Sequence, residues 1–139
     1  MKWSVEIYSE LPETAREIRQ VVFVEEQGFE EEFDAVDATA AHLVGFVDDE
    51  AVCTCRFFRE TENSSVFIIG RVAVLKTHRG QQLGSKLILA AEDFIRVMGG
   101  VKNKLAAQVR AKGFYESLGY QAEGEEFDEE GCPHVWMTK

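Results

Sequence analysis

The chain has 139 residues, 45% hydrophobic and 29% charged, which suits a single folded domain over residues 1–139 and excludes general disorder. Fifteen Lys and Arg against 25 Asp and Glu leave a net charge of −10, which argues against a nucleic-acid binder and favours a small neutral or cationic partner. No apolar run reaches the ~20 residues that span a bilayer, and Met1-Lys2-Trp3-Ser4-Val5-Glu6 lacks the apolar stretch of a secretory signal, so a cytoplasmic protein with reduced thiols and no membrane partner is expected.

Trp3, Val5 and Ile7 alternate with Ser4, Glu6 and Tyr8, the period of a strand. Pro12 and neighbouring acids then open a helix, with Leu11, Ala15, Ile18 and Val22 on one face and an end near Val24. Glu25 to Thr39 reads as a long acidic connection of the kind that often carries function. Ala41 to Val47 and Ala51 to Phe58 form a hairpin pattern around Asp48-Asp49-Glu50. Val66 to Leu75 is almost continuously apolar, predicting a central strand covered on both faces. Leu83, Leu87, Ile88, Ala91, Phe94, Ile95 and Met98 repeat at helical spacing up to Gly99-Gly100. A short strand at Lys104 to Ala107 and a helix through Ala111, Phe114, Tyr115 and Leu118 follow. Strands near Tyr120–Glu123 and His134–Lys139, with an acidic loop between them, complete a mixed α/β order.

Cys53 and Cys55 form no CxxC pair and read as small strand residues rather than zinc ligands or nucleophiles, and no metal is expected. The chemistry-bearing stretch is Lys76 to Ser85, a glycine-bearing loop that follows the apolar strand and enters a helix. Unpaired N–H groups at such a helix start, helped by the helix dipole and the Arg79 cation, suit a phosphate; an ordinary turn is the other reading. Neither G-x-x-x-x-G-K-S/T nor G-x-G-x-x-G is present.

Arg79-Gly80-Gln81-Gln82-Leu83-Gly84 resembles the pyrophosphate loop of the GNAT superfamily of acetyl-CoA-dependent N-acetyltransferases, Arg/Gln-x-x-Gly-x-Gly/Ala, with Gln82 where the family usually has Gly. Gln108 to Tyr120, containing Ala111, Phe114, Tyr115 and Gly119, resembles the family's second motif, Asn-x-x-Ala-x-x-Phe-Tyr-x-x-x-Gly-Phe/Tyr, with Gln108 in place of Asn. Arg19 to Gln27, Asp34, Asp37, His42 and Asp128 to His134 look like a small bacterial, single-domain subgroup of that family.

The resemblance implies a mixed, mostly antiparallel sheet flanked by helices, the GNAT or acyl-CoA N-acyltransferase fold. It further implies that acetyl-CoA is the cosubstrate and a small-molecule primary amine the acceptor. Ala73 and Val74 would offer backbone groups to the pantetheine, with the Val74 N–H facing the thioester carbonyl. Arg79, Gly80, Gln81, Gln82, Gly84 and Ser85 would hold the pyrophosphate, and Gln108 would belong to the cofactor site. Tyr115 is the candidate general acid for the departing thiolate. Glu26 is the candidate base, with a solvated surface acid as its other reading; for His42 and His134 a satisfied or surface histidine is the ordinary reading, and His78 is expected to be exposed. The acidic clusters read either as solvated faces or as an amine-attracting acceptor site, and Arg19 as a partner of those acids or a holder of a substrate carboxylate. A non-catalytic acyl-CoA-binding module and an acyltransferase using a longer acyl-CoA stay open as alternatives; the Arg19, Phe23 and Glu26 region resembles the related acyl-homoserine-lactone synthases. Exposed strand ends leave room for a homodimer.

Overall fold

A computed structural model describes residues 1–30 and 32–139. Strand β1 (Trp3–Tyr8) leads into α1 (Glu13–Arg19), whose winding loosens to a π-helix over Gln20–Glu26. Strands β2 (Ala41–Val47), β3 (Glu50–Arg59) and β4 (Val66–Val74) form a meander. Helix α2 (Leu83–Val97), β5 (Lys102–Gln108), α3 (Lys112–Ser117), β6 (Gln121–Glu129) and β7 (Cys132–Thr138) follow. The strands lie in one sheet in the order β1-β2-β3-β4-β5-β7-β6. Only the β4–β5 pairing is parallel, so the expected mixed, mostly antiparallel sheet flanked by helices is the observed architecture.

The core follows from the two periodicities. Leu83, Leu87, Ile88, Ala91 and Ile95 line one stripe of α2 and pack on Phe57, Phe67, Leu105 and Met137 of the sheet. Each such side chain contributes about 1.5–3 kcal/mol by leaving water. Ile18, Val22 and Phe23 cover the opposite face against Ala73. The sheet is thus sandwiched between α2 and α3 on one side and α1 on the other.

Three sequence expectations change. The first helix runs past Val24 to Glu26, because π winding continues it. The acidic stretch after Glu123 is mostly strand, with the reversal confined to Glu130 and Gly131, both at positive φ; its charges face water along a sheet edge, where they discourage pairing with other chains. Central β4 is not covered on both faces: Ile68, Gly70, Arg71, Val72 and Val74 are only half-buried and border a cleft. Apolar character here marks the wall of an open cleft rather than a sealed interior.

Candidate active site

Strands β4 and β5 pair only at Val66, Phe67 and Ile68, opposite Lys102, Asn103 and Lys104. Beyond Ile68 they part, because β5 follows β7 up to Gln108 while β4 bends toward β3. The bend has a local cause. Between the pairs Thr54–Ala73 and Arg56–Gly70, β3 advances two residues and β4 three. This bulge holds Arg71 at φ 52°, a left-handed conformation that L-residues adopt only when the surroundings enforce it. The parting opens a cleft of about 1480 Å³ that passes through the sheet.

One end of the cleft is the start of α2. Gly80 and Gln82 sit at φ 79° and 62°, so the chain turns through two left-handed residues before the helix begins. Among the described residues no side chain caps α2, and no acid stands in its first turn. The first-turn N–H groups of Leu83, Gly84 and Ser85 therefore lack helical partners and border the cleft, ready for an anion. The family's usual glycine would sit at Gln82 without strain. Gln82→Gly is expected to stabilise the fold by about 0.5 kcal/mol, and Gly80→Ala to destabilise it by about 1–2 kcal/mol. Urea unfolding measures both, and a destabilised Gln82→Gly protein would contradict the strain at this position.

Arg79 joins three elements. Its Nε donates to the Val74 carbonyl at 2.9 Å, and its two terminal nitrogens donate to the Glu26 carboxylate at 2.6 and 2.8 Å. A guanidinium has five N–H donors, so two are left for a ligand. The pairing, chiefly the hydrogen bonds from Arg79, holds the Glu26 carboxyl below its usual range. Both Glu26 oxygens are engaged, which makes it a weak proton acceptor in this arrangement.

Of the residues singled out in the sequence, Ala73, Val74, Arg79, Gly80, Gln82, Gly84, Ser85, Gln108, Tyr115 and Glu26 all border this cleft. Gln81 is exposed on the turn outside the lining. Gln108, at the tip of β5, donates to Gln27 at 2.9 Å and so ties β5 to the end of the first helix. Tyr115 is 9% exposed, stacked edge-on against Phe114 and Tyr120. Burial first, and the nearby Cys55 thiol second, push its hydroxyl above the ordinary phenol range, so it stays protonated at neutral pH. No hydrogen bond contributes to that shift. Cys53 and Cys55 are buried, and burial pushes the Cys53 thiol up to about 12, which leaves it unreactive as a nucleophile.

Neither reading of the acidic cluster, a solvated face or an amine-attracting site, describes Glu32, Asp34 and Asp37, which are held in ion pairs. Arg19, 1% exposed, donates to Glu32 at 2.7 Å and to Asp37 at 2.8 and 3.0 Å. Arg56 donates to Asp34 at 2.7 Å and Asp37 at 2.8 Å, and Arg71 reaches Asp34 at 3.2 Å and the Glu32 carbonyl at 3.1 Å. Three arginines thus balance the three carboxylates of Glu32, Asp34 and Asp37. Arg19 is a partner of these acids, the first of its two sequence readings; Glu31 lies outside the described residues. Missed in the sequence were the pairing of Arg79 with Glu26 and the placing of Trp136 at the cleft. Period-2 alternation marks His134 and Trp136 as sharing a strand face, but only the insertion of β7 between β5 and β6 puts that face at the opening.

A sheet parted beside an uncapped helix start defines the class, an acyltransferase of the GNAT fold. A family profile described as "Acetyltransferase (GNAT) domain" matches residues 10–139, and the chain belongs to that family. A Bacillus subtilis protein with a provisional acetyltransferase name is 38% identical over 137 residues, covering 91% of this chain and 87% of its own. A Lactobacillus plantarum structure, provisionally described as an N-acetyltransferase, superposes with TM-score 0.89 at 31% identity over 100% of this chain and 98% of that one. The crystal structure of ElaA from Escherichia coli gives TM-score 0.86 at 28% identity, covering 99% and 98%. No helix among the described residues is long and apolar enough to cross a membrane.

Proposed function

We propose that this chain acts as one catalytic domain that moves the acetyl group of acetyl-CoA to a primary amine of a small molecule by direct attack. The observation that carries this reading is the alignment of three features along one cleft: an anion-binding turn, the parted strands and the Tyr115 hydroxyl. The pyrophosphate rests on N–H groups from Gln82 to Ser85, with the two spare donors of Arg79 beside it; Gln81, outside the lining, is left out of the cradle. The pantetheine lies in the parting along Ala73 and Val74, and the Val74 N–H meets the thioester oxygen as negative charge builds there. Gln108 borders the pantetheine from the β5 side.

The amine lone pair forms the new N–C bond. The C–S bond breaks with its electron pair on sulfur, and Tyr115 gives its proton to the thiolate. A buried phenol is a weak acid in water, but a thiolate leaving into the same apolar slot is a correspondingly strong base. Glu26 enters as the anchor of Arg79; the base role read from sequence requires its release from that pair.

Two measurements test the reading. Calorimetry with coenzyme A is expected to show micromolar binding that weakens at least tenfold in Arg79→Ala. Free-thiol release from acetyl-CoA across a panel of primary amines is expected to exceed the enzyme-free rate. Binding without turnover on any amine would favour a binding module, and no uptake at millimolar coenzyme A would end the proposal.

A further inference from the structure

Resting on the acetyl-transfer reading above, we propose that His134, braced by Glu129, is the catalytic base that takes the proton of the acceptor ammonium. The two faces of the sheet separate the two proton-transfer tasks. Val135 and Met137 of β7 point into the core beneath α2 and α3, where Tyr115 also lies. His134 and Trp136 alternate with them, so they lie on the opposite face, the face covered by the first helix, and both border the cleft. His134 pairs in register with Gln108, the last residue of β5 before the opening. The acid therefore stands on the α2 and α3 side of the parted strands and the histidine on the other, where an acceptor has room beside a thioester lying in the parting.

The imidazole is built for one job. It is 6% exposed and stacked on Phe127 at 5.9 Å, which fixes its plane. Its Nδ1 lies 2.8 Å from the Cys132 carbonyl, an acceptor only, so Nδ1 carries the ring proton and the neutral ring keeps its lone pair on Nε2. Nε2 lies 3.4 Å from Glu129 Oε2. In the neutral ring, then, two acceptors face each other. An ammonium set against this pair donates one N–H to each.

Several other charged groups around this face have partners of their own. The Glu130 carboxylate accepts from the Glu30 N–H at 3.0 Å, Arg110 Nε donates to Gln108 at 2.7 Å, and the Lys104 ammonium sits over the Trp136 ring at 4.7 Å. Glu26 is spent on Arg79. His134 and Glu129 form a close imidazole–carboxylate pair that borders the cleft.

The step balances. The ammonium N–H bond breaks, its proton goes to Nε2, and its electron pair stays on nitrogen to form the N–C bond. The C–S bond breaks with its pair on sulfur, and Tyr115 protonates that sulfur. The imidazolium, held by the Glu129 carboxylate, returns its proton to solvent, and solvent reprotonates Tyr115.

Hydroxylamine is unprotonated at neutral pH, whereas alkyl amines are cationic, so the pair separates deprotonation from transfer. The most active alkyl amine of the panel and hydroxylamine serve as the two acceptors, each measured against an enzyme-free blank. His134→Gln is expected to lower kcat with the alkyl amine by about 100-fold or more and with hydroxylamine by far less. Glu129→Gln, at a position 54% exposed and so free of folding cost, is expected to show the same imbalance at about tenfold. Added imidazole is expected to restore alkyl-amine turnover in His134→Ala. Equal losses on both acceptors in His134→Gln and Glu129→Gln, or full alkyl-amine activity in either, would overturn the assignment while leaving the acetyl-transfer reading intact. A wild-type protein silent with every acceptor would overturn that reading, and this inference with it.

Discussion

Tyr115→Phe is expected to lower kcat for acetyl transfer by about 100- to 1,000-fold while KM for acetyl-CoA stays within about threefold. Tyr115 borders the cleft, and burial and a neighbouring thiol rather than a hydrogen bond set its hydroxyl's shift, so removal of the hydroxyl takes away a proton source and little else. Stability is expected to change by less than about 1 kcal/mol, since the ring keeps its packing on Phe114 and Tyr120. The pH profile supplies a second check. Burial raises this phenol, so the alkaline loss of activity that it causes lies above the ordinary value of about 10. Steady-state thiol release at saturating acetyl-CoA measures all of this, and an unchanged kcat would remove Tyr115 from the mechanism.

Asp37→Ala is expected to cost about 3–5 kcal/mol, because it leaves Arg19 and Arg56 as buried cations without their shared partner. That is a large part of the ~5–15 kcal/mol that holds a domain together, and it corresponds to a fall in Tm of roughly 10 °C. The pH dependence has a definite sign. Burial works to raise the Asp37 carboxyl, but hydrogen bonds from Arg19 and Arg56 outweigh it and hold the group far below the usual range. The stabilisation is complete above the unfolded value of about 3.9 and is lost as the pH falls through the folded one. Asp34 is also lowered, chiefly by Arg56, and acts in the same direction; Glu32 is raised by burial and acts in the opposite one. The wild-type protein is expected to lose stability in acid more steeply than Asp37→Ala does. Urea unfolding at pH 7 and pH 3 checks this, and parallel losses in both proteins would show that the ion network is dispensable.

Much of the fold was legible because it rests on local patterns. The helical stripe from Leu83 to Ile95 and the alternation in Trp3 to Ile7 depend only on which side must be dry. The end of the cleft at the start of α2 was legible for a similar reason, since a turn and helix start are contiguous in the chain. The opposite wall was not. Arg19, Glu32, Asp37, Arg56 and Arg71 come from α1, a connection and two strands, and only folding brings their charges together. Acidic runs therefore looked like solvated faces when some of their members were neutralised inside. His134 was visible as a residue but not as a site, because its neighbours Glu129, Phe127 and Gln108 come from two other strands.

The three rungs between β4 and β5 have a mechanical meaning. One half-sheet, β1 to β4, is spliced to the other, β5, β7 and β6, over a distance shorter than either strand. Past the splice β4 and β5 share no ladder, and side-chain contacts such as the Gln108–Gln27 hydrogen bond join the two sides, so the width of the opening is set by side chains rather than by backbone pairing.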